Sequence, residues 1–216
     1  MKAKIFLCLF LLFAGLSVFI VGSPFRRRLL SQQIASTLSG KGEKRALEKF
    51  RERLEITGLN QEALQLSLLV QKAERLLFIL ADDRILATFP IALGHNPVGN
   101  KETLDDGRTP EGEYCVCYKK ENSRYHLFIG LSYPSPADSS RALTAGRITA
   151  TEAEAILDAC MKRERPPWNT ALGGPFGIHG FGTGEDWTEG TIAVSNSHIE
   201  ELYYNIPMGT PVKIIP

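Results

Sequence analysis

The stretch "GIHGFGTGEDWTEGTIAVSN", Gly177 to Asn196, gathers an imidazole, a glycine-rich turn and a hydroxyl in one short run. His179 precedes Gly180, and twelve positions downstream of His179 stands Thr191, preceded by Gly190 and followed by an apolar segment. A histidine of ordinary pKa, about 6.5, accepts a proton near neutrality and can serve a neighbouring nucleophile as general base. Glycine lets a backbone N–H approach a reacting oxygen, which makes Gly180 and Gly190 candidates for holding an oxyanion. Thr191 is a poor nucleophile unaided: its hydroxyl is scarcely ionised, so its proton must leave during the attack, and its β-methyl stiffens χ1. Trp187 and Tyr133 are the aromatic candidates for a substrate contact, although each, taken on its own, reads more readily as a core residue.

The cysteines offer no ready substitute for Thr191. Cys8 falls in an apolar N-terminal run; Cys115 and Cys117 share one face of an alternating, strand-like segment; Cys160 lies in a helical pattern. Their spacing falls short of a four-ligand zinc set, and all four read as small buried hydrophobes, so neither a metal nor a cofactor is expected. With 25 Lys+Arg against 24 Asp+Glu there is no basic excess of the kind nucleic-acid binding requires.

The elements that must position these residues begin at about Gln71. "RLLFILADDRILATFPIAL" reads as strand, Asp82-Asp83 turn, strand, and Thr109-Pro110-Glu111-Gly112 as a type I turn launching a strand over Tyr114 to Tyr118. Tyr125 to Pro134 is a further strand, and Thr149 to Glu164 is a helix with a threonine cap and a glutamate three positions on. "GTIAVSN" is a strand, "SHIEELYYNIP" a short helix from near Ser197, and "GTPVKIIP" a closing strand. Upstream, "EKRALEKFRERLEITG" puts Leu47, Phe50, Leu54 and Ile56 near helical spacing, with Gly58 as the stop.

The first residues belong to another environment. Ile5 to Val21 carries no charge and is flanked by Lys2 and Lys4 before it and by Arg26, Arg27 and Arg28 after it. The run is longer than the h-region of an ordinary signal peptide, about 7–15 residues, so an uncleaved membrane anchor is favoured over a cleaved export signal. The expected organisation is a transmembrane segment over 1–24, a juxtamembrane helical stalk over 25–68 and a catalytic-type domain over 69–216.

Several pieces in order, "FPIALGHNPVGNKETLDDGRTPEGEY", "HLFIGLSYPSPAD", "GIHG", "DWTEGTIAVSN" and "IPMGTPVKI", resemble the L,D-transpeptidase catalytic domain, a cysteine-dependent family that remodels bacterial peptidoglycan. The resemblance implies a mainly β fold, a β-sandwich or barrel with one or two short helices, lying outside the cytoplasmic membrane and acting on peptidoglycan stem peptides. It implies that His179 is the base. It also puts Thr188 in the family's Ser/Thr place, Glu189 in its His place, Gly190 in its Gly place and Thr191 where the family's nucleophilic cysteine stands. Two readings follow: acyl transfer through residue 191, or a pseudoenzyme that keeps the fold and binds wall peptides or a partner without reaction. A binding module unrelated to the cell wall is a third, which leaves the pairing of His179 with the Asp-Trp-Thr-x-Gly run unexplained.

Overall fold

The computed structural model describes residues 24–59 and 64–216. The expected membrane segment therefore lies outside the described residues, and among these no helix is long and apolar enough to cross a membrane. The chain divides into two compact units, Met1–Lys44 and Arg45–Pro216.

In the first unit the described residues begin helix α1, which runs Pro24–Thr57 and ends in the second unit. Within the second unit its last turns bury Ala46, Phe50 and Leu54, spaced at i, i+4 and i+8, while Leu47 and Ile56 stay exposed. The buried stripe is thus narrower than the apolar pattern suggests, and small Ala46 belongs to it. Gly58, at φ 66°, stops the helix; its N–H reaches Glu55 O and the next N–H reaches Leu54 O, both at 3.1 Å.

Eight strands form one sheet: β1 Leu66–Gln71, β2 Leu76–Ala81, β3 Arg84–Pro90, β4 Gly112–Ser123, β5 His126–Leu131, β6 Gly177–His179, β7 Ile192–Ala193 and β8 Pro211–Ile215, in the order β3-β2-β1-β8-β4-β5-β6-β7. β1, β2 and β8 alternate in burial because one face meets the core. The outermost members are β3 and β7, yet Ala92, just past β3, bridges Ala193 of β7 with both N–H···O bonds at 2.9 Å. The two edges are thereby joined, which gives the sheet its barrel character and leaves less backbone unpaired. Val70, Ile79, Ile129, Ile178 and Leu202 are among the fully buried core residues.

Besides α1, which stands where the helical stalk is expected, three helices are described in place of the one or two short ones expected: α2 Pro136–Thr144, α3 Ala150–Met161 and α4 Asn196–Asn205. α3 and α4 stand near their expected places, with Thr149 and Ser195 as N-caps. α2 gives a weak apolar signal because it buries Asp138, Ser139 and Ala142; its marker is the capping box between Ser135 and Asp138.

No turn is found at Thr109–Gly112, because Gly112 is already the first residue of β4, opposite Ile214 of β8. The buried Lys72 ammonium ties this approach to the preceding loop, donating to Thr109 O at 2.9 Å, Gly99 O at 2.6 Å and Glu111 Oε1 at 2.8 Å.

Candidate active site

His179 ends β6 and Thr191 immediately precedes β7, so two adjacent strands, paired parallel at Ile178 with Ile192 and at His179 with Ala193, bring them together. The Thr191 hydroxyl lies 2.8 Å from His179 Nε2, and His179 Nδ1 lies 2.8 Å from Gly180 O. A carbonyl oxygen only accepts, so Nδ1 carries the proton and Nε2 presents its lone pair to the hydroxyl. That is the tautomer a base for Thr191 requires. The imidazole is 1 % exposed, and burial pushes its pKa below 6.5 against the opposing hydrogen bond to Gly180. It is therefore neutral at pH 7.

Aromatic rings fix the imidazole plane. Tyr125 stacks on it with centroids 4.6 Å apart, and Trp187 meets it edge-on at 5.5 Å. Tyr125, which the sequence reading did not single out, is the closer of the two.

The loop before Thr191 is held from several sides. The Asp186 carboxylate receives Arg75 Nη2 at 2.7 Å and the Leu93 N–H at 2.9 Å. Thr188 exchanges backbone bonds with Leu93 and His95, and its hydroxyl donates to Thr191 O at 2.6 Å while accepting the Gly190 N–H at 3.1 Å. Gly190 has φ 125°, and a Cβ there would fall 2.6 Å from Arg108 O, so only glycine fits.

These contacts change two of the expected roles. The Gly180 N–H donates to Tyr125 O at 3.0 Å and the Gly190 N–H to Thr188, so neither points unengaged at a reacting oxygen. The Thr191 N–H has no acceptor among the described residues. Tyr133 is likewise no substrate contact: it is fully buried, its hydroxyl donates to Leu172 O at 3.1 Å, and its ring packs on Phe176 and Tyr114. Trp187, in contrast, lines the cavity.

That cavity, of about 450 Å³, opens on His179 and Thr191 and is walled mainly by Tyr118, Tyr125, Phe128, Trp168 and Trp187. Its size suits a peptide segment or a small ligand. Glu189 also lines it, and its largely exposed carboxylate is 3.6 Å from His95 Nδ1. Cys115, Cys117 and Cys160 are free thiols that do not line it. Burial, aided by neighbouring Cys115, pushes the Cys117 thiol up to about 12, and burial raises Cys160 too, so both stay protonated and unreactive. Among the described residues no group of His, Cys, Asp or Glu is arranged to hold a metal ion.

Fold and site together define a mainly β domain whose cavity presents a histidine-bound side chain to a ligand. The L,D-transpeptidase catalytic domain model (YkuD) matches residues 66–214, and the chain belongs to that family. Among solved structures it is similar to the helical cell shape determining protein Pgp2 from Campylobacter jejuni, at 18% identity and a TM-score of 0.50, over 71% of this chain and 48% of that one. It is also similar to Bdellovibrio bacteriovorus Bd1075, at 19% identity and a TM-score of 0.47, over 70% and 48%. An L,D-transpeptidase from Xylanimonas cellulosilytica DSM 15894 matches at 14% identity and a TM-score of 0.40, over 72% and 63%. The chain thus spans from about half to just under two thirds of the length of these structures. At such identities the likeness is one of fold. No curated protein matches the chain.

Proposed function

We propose that this chain acts on peptidoglycan stem peptides by acyl transfer, with His179 as general base and Thr191 as nucleophile. The observation that carries the reading is the 2.8 Å contact between the Thr191 hydroxyl and an imidazole whose other nitrogen is tied to Gly180 O. Membership of the L,D-transpeptidase family supports the substrate class.

In the first step Nε2 takes the hydroxyl proton as Oγ1 bonds to a peptide carbonyl carbon. The oxyanion faces the unengaged Thr191 N–H, and the proton then passes to the departing amine. An acceptor amine, losing its proton to Nε2, attacks the resulting ester and restores the Thr191 hydroxyl. Neither a metal nor a cofactor enters these steps. The apolar run Ile5–Val21 would anchor the domain on the outer side of the cytoplasmic membrane, where the wall peptides are. A part in cell shape, as the name of Pgp2 states for that protein, is the cellular counterpart of this chemistry.

A second reading has its own observation. The base is weakened by burial and backed by a backbone carbonyl instead of a carboxylate, which disfavours deprotonating an alcohol. In this reading the cavity binds wall peptides without turnover. Incubation of the protein with a carbapenem, followed by intact-mass measurement, separates the readings. An adduct on the natural protein supports transfer through Thr191. An adduct only on Thr191→Cys supports the silent binder, and none on either discards His179 and residue 191 as an acyl-transfer pair.

A further inference from the structure

Lys120 and Glu189 are the two charged residues lining the cavity, and they lie on different sides of the reacting pair. Lys120 of β4 is opposite Phe128 of β5, Phe128 is opposite His179 of β6, and His179 is opposite Ala193 of β7. Residues opposite one another on neighbouring strands project to the same face, so Lys120, Phe128 and His179 form one row. With neighbouring strands about 4.8 Å apart, the row sets Lys120 roughly 10 Å from His179. Glu189, two positions before Thr191, is on the β7 side of that row.

Among the described residues Lys120 has no carboxylate or carbonyl partner. Ser123, also in the wall, accepts the Tyr125 N–H at 3.1 Å through Oγ, which leaves its own proton for donation. Arg165, again without a carboxylate partner among the described residues, stacks 4.7 Å from the Trp168 ring centroid and 5.8 Å from that of Tyr118. Both rings line the cavity. A lysine ammonium and a serine hydroxyl, both carried by β4, thus belong to the wall of an otherwise mainly aromatic hollow. An aromatic wall lowers the local dielectric and strengthens what a charge there does.

We infer that Lys120, assisted by Ser123, forms a carboxylate subsite. The donor peptide that fits is one with a free carboxylate on the Phe128 side of the attacked carbonyl. The separation of the row is between backbone positions, and the flexible four-carbon stem of Lys120 covers part of it, so a terminal carboxylate or a long acidic side chain close to the attacked carbonyl can meet the ammonium. The inference rests on the stem-peptide reading and adds to it the group that orients the donor. Lys120 is a specificity residue here, since it grips the substrate away from the reacting atoms.

The test uses the full-length chain in detergent and three synthetic stem tetrapeptides alike except near the scissile bond. One ends in an amide and has a neutral-tailed third residue, one ends in a carboxylate, and one carries the added carboxylate on the third side chain. Affinities are measured by calorimetry for the natural protein and for Lys120→Met, with thermal unfolding confirming that the variant is folded. The expected result is that the natural protein prefers one acid peptide over the amide by about tenfold, as a charge-assisted hydrogen bond gives, and that the variant has lost this preference. Which acid peptide gains identifies the terminal or the side-chain carboxylate as the source. If the natural protein binds all three alike, or Lys120→Met keeps the preference, the subsite is refuted while peptide binding stands. If no peptide binds the natural protein, the stem-peptide reading falls and the subsite with it.

Discussion

Replacing Thr191 by valine removes one oxygen and little else, because the two side chains share their branching and nearly their shape. In the natural protein the hydroxyl satisfies Nε2 of an imidazole that is 1 % exposed. Valine leaves that lone pair facing a methyl group, so the variant loses the hydrogen bond and keeps the desolvation cost of the nitrogen. Such an orphaned buried acceptor costs about 1–3 kcal/mol, and partial access through the cavity moderates this to about 1–2 kcal/mol. In a domain of this size the loss lowers Tm by about 2–8 °C. Urea unfolding with an unchanged slope would register it as a lower midpoint. The same variant should take no carbapenem under conditions in which the natural protein is labelled. A Thr191→Val protein as stable as the natural one, or more so, would show that the hydroxyl does not serve the imidazole and would remove the basis of the proposed chemistry.

Other perturbations have definite signs. Since burial lowers the native pKa of His179, the unfolded chain binds its proton first as pH falls; stability should be level above about 6.5 and decline below it, and an NMR titration of the ring should give a midpoint under 6.5. His198, lowered first by burial and then by Lys49 and Arg53, adds to the decline with the same sign. Gly190→Ala must place a Cβ against Arg108 O at a positive φ, so it should destabilise by about 1–3 kcal/mol and abolish ligand binding in the cavity, read by unfolding and calorimetry. Leu54→Ala, at a buried position near the end of α1, should cost about 2–5 kcal/mol in denaturant unfolding; a neutral result would mean that the helix end is not part of the core.

Much of the site was legible in the sequence because it lies in one contiguous run. His179, Trp187, Gly190 and Thr191 all fall between Gly177 and Asn196, and turn glycines, a histidine and an apolar strand are signals that short-range reading detects. What escaped depends on distant pairings. Tyr125 reaches His179 only because β5 lies beside β6, and Arg75 reaches Asp186 across 111 positions of chain. The oxyanion assignment of Gly180 and Gly190 went astray for a related reason: a glycine says that backbone can come close, but not which carbonyl or hydroxyl already holds its N–H. Tyr133 shows the same limit, since one core tyrosine and one cavity tyrosine look alike until Leu172 O and Phe176 are seen around the former. The helical repeat of Ala46, Phe50 and Leu54 was partly visible, but its smallest member carries no hydrophobic signal strong enough to be noticed.

The proposed pair, His179 and Thr191, sits on the shortest pairing of the sheet. β6 and β7 share only two partners in register, too few to hold a 2.8 Å contact by themselves, and a slip of one residue would turn Thr191 away from His179. What prevents the slip lies at the other edge. The segment after β3 bridges Ala193 through Ala92, exchanges bonds with Thr188 through Leu93 and His95, and gives the Leu93 N–H to Asp186, which Arg75 also grips. The joining of the two sheet edges and the alignment of base and hydroxyl are therefore one structural event. Arg75 and Asp186 do not line the cavity, yet through the Leu93 N–H and the loop before Thr191 they help to set the geometry at residue 191.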